Sequence, residues 1–200
     1  ASGTGYSYNR AGYTTVYNLE MGNEVNSFKI GGAVKSVAFS PDGKFLAAGS
    51  SDKKARIYNL EIGQEVKSFK ISNRVNSVAF SPDGKFLAVG SRDNHSYIYN
   101  METGNEVNSF KAGDNVNSVA FSPDGKFLAV GSSDKKAHIY NLETGKQLNY
   151  YGFDNPVYNV TFSDDGRYLA VAASGIDIYD LSTNQKVRHF GGHRSIDFSP

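Results

Sequence analysis

Two basic pairs, Lys53-Lys54 and Lys135-Lys136, stand at matching places in the chain, since 135 − 53 = 82 residues separate them. A lysine ammonium group is a compact positive charge that attracts carboxylates and phosphates. Aromatic side chains beside arginines are the residue types enriched at binding hot spots. The sequence therefore predicts a surface that captures a protein or an acidic or phosphorylated peptide. The residues that we predict to form this surface are Lys53, Lys54, Arg74, Arg92, Lys135, Lys136, Phe153, Tyr158 and Arg194.

The four histidines give little indication of a catalytic site. We expect His95 to lie in a turn, and His138 to be a solvated strand residue, because it replaces Arg56 two periods earlier (138 − 56 = 82). His189 and His193 are close in sequence but lack a third ligand at a spacing that a metal would need. No nucleophile is paired with a base, and no phosphate-binding glycine motif is present. We predict no catalytic residue, no cofactor and no metal site.

Bulk composition narrows the class of partner. The net charge of +1 over 200 residues gives no reason to expect nucleic acid or a membrane surface. No apolar run approaches the roughly 20 residues that cross a bilayer. The absence of cysteine excludes disulfides and thiol chemistry and fits a cytoplasmic location, which is our expectation. Secretion would matter for two glycosylation sequons, which begin at Asn94 and Asn159.

A repeat organises the whole chain. The stretch Ser-Val-Ala-Phe-Ser-Pro-Asp-Gly-Lys-Phe-Leu-Ala at 77–88 recurs, and Phe80 − Phe39 and Phe121 − Phe80 both equal 41. A fixed period of about 40 residues is the signature of a repeat architecture. The other copies are nearly identical at 36–47 and 118–129, looser at 159–170 and truncated at 195–200.

Each period reads as four short strands. In the first full period, alternating or β-branched residues predict strands at 34–39, 45–50, 55–59 and 65–69. The residues between them are turn formers, and Ser-Pro-Asp-Gly at 40–43 has the proline, aspartate and glycine that a tight turn prefers. Four strands joined by three short turns form an antiparallel meander.

These repeats resemble those of the WD-repeat β-propeller family, through Val-Ala-Phe-Ser-Pro-Asp-Gly-Lys, then Gly-Ser-Ser-Asp, then Ile-Tyr-Asn-Leu-Glu. Two features differ from that family: Tyr-Asn replaces its Trp-Asp pair in most repeats, and its Gly-His pair occurs only as Gly192-His193. The turn aspartates Asp52, Asp93 and Asp134 remain, but the family's Asp-His-Ser-Trp hydrogen-bonded set cannot form in most blades. We expect these aspartates to bond turn backbone N–H groups instead.

The resemblance implies an all-β fold, a β-propeller of about five four-stranded antiparallel blades. We expect one domain over 1–200, with one split blade formed by 1–28 and 195–200. Pairing of the C-terminal strand with the N-terminal strands would close the ring and remove two exposed edges. A fragment of a larger ring is the alternative.

In such a meander, the turns between strands two and three and the links to the next blade lie on one rim. The basic residues named above fall there, and the resemblance implies that partners most often dock on this face. We therefore predict a non-catalytic protein-interaction scaffold. One alternative is a lectin-like binder of small ligands with one site per blade. Another is a structural or self-associating unit.

Three aromatic positions recur with the period and are expected to form the core between blades. Burial of such rings contributes about 2–3 kcal/mol each, so Phe80→Ala is expected to cost about 3–5 kcal/mol. The three sets are Phe39, Phe80, Phe121, Phe162 and Phe198; Phe45, Phe86, Phe127 and Tyr168; and Tyr17, Tyr58, Tyr99, Tyr140 and Tyr179.

Overall fold

A computed structural model describes residues 12–192, 195, 196 and 198, and the described part of the chain is built of β-strands. The strands predicted in the first full period agree with β3 to β6 to within one residue. The strands are β1 (Tyr13–Tyr17), β2 (Glu24–Lys29), β3 (Val34–Phe39), β4 (Phe45–Ser50), β5 (Lys54–Asn59), β6 (Gln64–Lys70), β7 (Val75–Phe80), β8 (Phe86–Ser91), β9 (His95–Asn100), β10 (Glu106–Lys111), β11 (Val116–Phe121), β12 (Phe127–Ser132), β13 (Lys136–Asn141), β14 (Gln147–Gly152), β15 (Asn159–Phe162), β16 (Tyr168–Ala172), β17 (Gly175–Asp180) and β18 (Gln185–Gly191).

The strands form five antiparallel sheets in chain order. Blade I contains β1 and β2, and four-stranded meanders follow as blade II (β3–β6), blade III (β7–β10), blade IV (β11–β14) and blade V (β15–β18). The predicted all-β architecture of four-stranded antiparallel blades is confirmed. Within the described ranges, no helix has the length and apolar character needed to cross a membrane.

The turn between the first two strands of a blade is held by one serine and one aspartate. In blade II the Ser40 hydroxyl donates to Asp42 Oδ1 at 2.6 Å and accepts from the Phe45 amide at 2.9 Å. Gly43 takes the left-handed conformation that the turn requires, with φ of 70°. The hydrogen bond from Ser40 holds the pKa of Asp42 below its ordinary value. Blades III, IV and V repeat this arrangement, although blade V lacks the proline.

Neighbouring blades meet through their first strands, which lie side by side as β3, β7, β11 and β15. A serine of each of the strands β3, β7 and β11 accepts a hydrogen bond from the backbone of the next blade. Close approach is possible because the second strand has a glycine facing the next blade, and a Cβ at Gly90 would lie 2.7 Å from Val116 Cγ1. The inter-blade bonds run from Val78 N to Ser36 Oγ at 3.1 Å, Val119 N to Ser77 Oγ at 3.1 Å and Val160 N to Ser118 Oγ at 3.2 Å.

Farther from the first strands, an aromatic ring of the outermost strand in each of blades I to IV stacks on a tyrosine of the next blade's third strand. The tyrosine set is therefore the best buried of the three predicted aromatic sets within blades II to V, whereas Phe80 is only partly buried. The expected 3–5 kcal/mol for Phe80→Ala is accordingly too large, since that range applies to a fully buried ring. The stacked pairs are Phe28–Tyr58, Phe69–Tyr99, Phe110–Tyr140 and Tyr151–Tyr179, with ring centroids 4.2, 4.2, 4.4 and 3.9 Å apart.

The predicted split blade is described only in part. Strands β1 and β2 occupy the places of its third and fourth strands, and its expected second strand falls in 1–11, outside the described residues. Ile196 and Phe198 pack against a cluster of blade V that contains Ala170. No ladder joins the described residues of 195–200 to β1 or β2. Closure of the ring stays a prediction.

Candidate docking rim

The turns between second and third strands share one rim with the links between blades, because backbone hydrogen bonds tie them together. In blade II, Ser51 N donates to Ala33 O at 2.9 Å, and Ile71 N donates to Lys53 O at 2.8 Å. The first bond joins the turn to the link that enters blade II from blade I, and the second joins it to the link that leads to blade III. We call this face the docking rim. Equivalent bonds run in blades III and IV from Arg92 N to Arg74 O, Ala112 N to Asn94 O, Ser133 N to Asn115 O and Phe153 N to Lys135 O.

The predicted binding residues within the described part of the chain all lie in these turns and links or at their edges. Lys53 and Lys135 are exposed at the turn tips, where both adopt a left-handed backbone, with φ of 69° and 68°. The Lys136 ammonium lies 4.6 Å from the centre of the Tyr150 ring, a cation–π contact. Arg92 and Tyr158 are exposed, Lys54, Arg74, Lys136 and Phe153 are half-buried, and Arg194 lies outside the described residues.

The turn aspartates point inward and are mostly buried, and Asp134 also accepts from the Gly113 amide of the adjoining link. Asp52 forms an ion pair with Arg56 at 2.5 Å. Asp93 Oδ2 accepts from the Tyr97 hydroxyl at 2.9 Å. In each of these blades the partner is the fourth residue after the aspartate. In blade IV this residue is His138, whose Nε2 lies 2.8 Å from Asp134 Oδ2.

The predicted bonds from these aspartates to backbone N–H groups are confirmed in two blades, where Asp93 accepts from His95 N at 3.1 Å and Asp134 from Lys136 N at 3.0 Å. The side-chain partners were not predicted. His138 is not a solvated residue as expected, because its side chain is inside the blade and only 6% of the residue is exposed. In the sequence, a polar residue follows each of these aspartates four positions later, and this pattern could have indicated the pairing.

Hydrogen bonding keeps Asp134 charged despite its position. Burial alone would raise the pKa of Asp134, but bonds from the Gly113 amide and the His138 ring outweigh it and hold the pKa below its ordinary value. The same balance applies at Asp52, where burial is outweighed by the Arg56 guanidinium. Both carboxylates therefore bond groups of the protein itself.

Blade V has a different arrangement at the same place. Its turn is shorter and lacks the aspartate, and Asp177 occupies the strand position of Arg56 and His138. Asp177 Oδ1 lies 2.6 Å from His189 Nδ1, and Asp177 Oδ2 lies 3.3 Å from Lys186 Nζ. A cavity of about 460 Å³ opens beside this cluster, and sequence reasoning missed it. Its lining residues are Gly152, Phe153, Asp154, Ser174, Asp177, Tyr179, Lys186 and His189.

No arrangement typical of a metal site occurs among the His, Asp and Glu side chains that the structure describes. Comparison with known families gives two matches. Residues 3–141, more than half of the chain, match the family model described as eukaryotic translation initiation factor eIF2A. Residues 145–177 match the WD domain, G-beta repeat model. No curated protein matches the chain.

Proposed function

We propose that this chain, which belongs to the eIF2A family and to the WD-repeat β-propellers, binds a protein partner on the docking rim. Propellers of these families are generally non-catalytic and typically serve protein–protein interaction. The finer proposal is that the partner presents an acidic or phosphorylated segment to the rim.

One observation carries this proposal: basic groups point outward on the rim while the turn carboxylates point inward. Lys53 and Lys135 reach solvent, whereas the neighbouring Asp52 and Asp134 are bonded to Arg56 and His138. The inward-pointing carboxylates therefore cancel less of the positive charge of the exposed lysines than the sequence alone suggests. Charges arranged in this way attract acidic segments and accelerate their association.

Backbone hydrogen bonds hold the turns in place, which also favours binding of a partner. The carbonyl of Lys53 and the carbonyl of Lys135 each accept a hydrogen bond from the following link, at 2.8 and 2.9 Å. A partner therefore orders little backbone when it binds, and the entropic cost is limited to the long basic side chains. Phe153 and the exposed ring of Tyr158, in the link before blade V, supply an apolar contact.

The rim favours one asymmetric site over a set of equal ones. Blades II, III and IV share turn geometry, but blade V has the shorter turn and the cavity lined in part by Phe153, Asp177 and His189. A peptide that spans the basic turns and ends near this cavity would bind once per chain. A lectin-like binder would instead take several equal ligands, one for each blade.

Matched charge reversals test the proposal. A peptide array with acidic, phosphoserine, neutral and basic members identifies the best-bound sequence, and calorimetry measures its affinity. We expect Lys53, Lys54, Lys135 and Lys136 changed together to Glu to weaken binding at least tenfold. The control changes Lys44, Lys85, Lys126 and Lys146 to Glu, because these exposed lysines lie on the opposite rim. That control alters net charge by the same amount and should change affinity less than twofold.

Two results would contradict the proposal. Equal weakening by both quadruple variants would mean that only net charge matters, and unchanged binding by the rim variant would exclude the basic turns. Several equal sites for a sugar or small anion in the unmodified chain would favour the lectin-like alternative.

A further inference from the structure

One space between the third strand, the fourth strand and the turn is filled in blade II by a buried arginine. The guanidinium of Arg56 lies 2.5 Å from a carboxylate oxygen of Asp52 in the turn. On its other side, Arg56 Nε lies 3.4 Å from Glu65 Oε2 in the outermost strand. The side chain of Arg56 is only 9% exposed. A cation between two carboxylates therefore occupies this place in blade II.

The turn that bounds this space is shorter by two residues in blade V. Phe121 and Ile139 in blade IV are 18 residues apart, since 139 − 121 = 18. The equivalent Phe162 and Ile178 in blade V are 16 residues apart, since 178 − 162 = 16. The turn aspartate, which is Asp134 in blade IV, and the lysine that follows it have no counterpart in blade V. The carboxylate that pairs with arginine in blade II is therefore missing.

The charges at this place are also reversed in blade V. Asp177 stands at the position of Arg56, and Lys186 stands at the position of Glu65, because 121 residues separate each pair. Asp177 pairs with Lys186 at 3.3 Å and with His189 at 2.6 Å, both on the outermost strand. An aspartate side chain is shorter than an arginine side chain. The shorter side chain and the shorter turn together leave the cavity of about 460 Å³ that opens here.

The buried charged group of this cavity is an acid, whereas its basic groups reach solvent. The side chain of Asp177 is 12% exposed, but those of Lys186 and His189 are 50% and 57% exposed. Rotation about its side-chain bonds can carry an exposed lysine into solvent, where the ammonium group is strongly hydrated. Asp154, in the link before blade V, also lines the cavity. A ligand that enters the cavity therefore meets two carboxylates.

We propose that this cavity binds an arginine side chain of the partner, with the guanidinium on Asp177 and Asp154. A planar guanidinium presents several donors to a carboxylate, so it replaces the single ammonium group of Lys186 with better geometry. The ring of Phe153 also lines the cavity, and guanidinium groups stack on aromatic faces. The bound arginine restores in blade V the kind of pair that Arg56 makes within blade II.

An anion fits this cavity less well than a cation. Lys186 and His189 would attract a phosphate, but the carboxylate of Asp177 is buried beside them and would repel it. The inference rests on the proposed function in taking the ligand to be a peptide. It adds that the acidic part of the peptide lies on the basic turns and that an arginine enters blade V.

A comparison of arginine with citrulline tests the proposal, because citrulline has nearly the same shape and no charge. The acidic peptide that binds best in the array is prepared with arginine or citrulline at each position in turn, and calorimetry measures both affinities. At one position, arginine should bind about tenfold more tightly, the effect of one charge-assisted hydrogen bond. Asp177→Asn should remove this preference, since it retains the shape of the side chain and removes its charge.

Two further variants serve as controls for Asp177→Asn. Asp164→Asn makes the same change of charge at an exposed position of blade V on the opposite rim, and it should retain the arginine preference. Asp177→Arg combined with Lys186→Glu introduces the residues of blade II and places a guanidinium of the chain itself in the cavity. This double variant should fold, as circular dichroism measures, and should lose the arginine preference.

The small probe N-acetylarginine amide separates this proposal from the proposed function, because it has no acidic segment. Ligand-observed NMR should show that it binds the unmodified chain and the variant with four reversed rim lysines in preference to N-acetylcitrulline amide. That result, together with no effect of the four reversed lysines on peptide binding, would overturn the rim proposal alone. Equal binding of the two probes, an arginine preference that persists in Asp177→Asn, or tighter binding of inorganic phosphate than of N-acetylarginine amide would overturn the arginine site.

Discussion

At the residue scale, one position shows how nearly identical repeats acquire different chemistry. The fourth residue after the turn aspartate is Arg56, Tyr97 or His138 in blades II, III and IV, and each side chain bonds the aspartate. A cation, a phenol and an imidazole thus satisfy the same carboxylate, because a donor at the correct distance is sufficient. In blade V the acid is Asp177 itself and its partners come from the outermost strand.

Phe110→Ala tests the inter-blade stack. Phe110 is buried and its ring lies 4.4 Å from that of Tyr140. We expect a loss of about 3–5 kcal/mol in the free energy of unfolding, since a large buried ring is removed from a packed interface. Urea denaturation measures the loss, and Val107→Ala on the same strand serves as control. A difference below about 1 kcal/mol between the two variants would show that the stack is unimportant for stability.

Acid sensitivity should depend in part on Asp180. A hydrogen bond from the Ser182 hydroxyl at 2.5 Å, with a further contribution from Arg167, lowers the pKa of Asp180 to about 2. The unfolded chain has a pKa of about 3.9 at this carboxyl. The folded state is therefore stabilised above that pH, and the stabilisation is lost as pH falls through about 2.

The matching variant is Asp180→Asn, which introduces the residue found at the equivalent Asn141. It should fold normally at pH 7 and lose less stability than the unmodified chain between pH 4 and pH 2. Urea midpoints at several pH values measure the difference. Parallel curves for the two proteins would rule out a role for this carboxyl.

At the element scale, the outermost strands share a β-bulge. Ile57 pairs with Lys67 and Tyr58 pairs with Glu65, which leaves Val66 unpaired in β6. The same shift occurs in the outermost strand of every described blade. A bulge twists an edge strand and interrupts its regular row of backbone donors and acceptors, which discourages pairing with the edges of other molecules.

Gly90→Ala tests the packing of second strands on the next blade. An added Cβ would lie 2.7 Å from Val116 Cγ1 and 3.1 Å from Val119 Cγ1, closer than carbon atoms pack. We expect a loss of about 1–3 kcal/mol in stability, because the two blades must separate slightly. Gly152→Ala is the control, since no atom lies within 4 Å of its added Cβ. If the two alanine variants unfold at the same urea concentration, glycine is not required at this interface.

At the scale of the whole molecule, stability should be lowest at the ends of the array. Each inner blade is packed on both sides, whereas β1 and β2 form a two-stranded sheet and all of β18 is exposed. In stacked arrays, stability depends on contacts with both neighbours. Opening therefore requires least energy in β1, β2 and β18.

Hydrogen exchange followed by mass spectrometry measures this gradient. We expect amides of β1, β2 and β18 to exchange at least tenfold faster than those of β8 and β12 in dilute solution. Uniform protection along the chain would contradict this gradient of stability.

The local structure of this protein could be predicted from its amino-acid order. The 41-residue period, the alternation of residues and the Ser-Pro-Asp-Gly turns specify four-stranded meanders, and the strands of blade II were predicted to within one residue. These features depend on residues that are close together in the chain, so the strands can be predicted from one repeat alone. The grouping of Lys53, Arg74 and Lys135 on one rim also followed, because strand direction alternates in a meander.

Which groups remain accessible on that rim could not be predicted in this way. The inward turn of Asp52 and Asp134, the burial of His138 and the cavity of blade V depend on side-chain contacts across strands and blades, which periodicity does not reveal. The same holds for Phe190 and Tyr17, which are exposed although they are equivalent by sequence to buried residues. Their exposure depends on whether another blade is packed against them, and packing is a property of the assembled array.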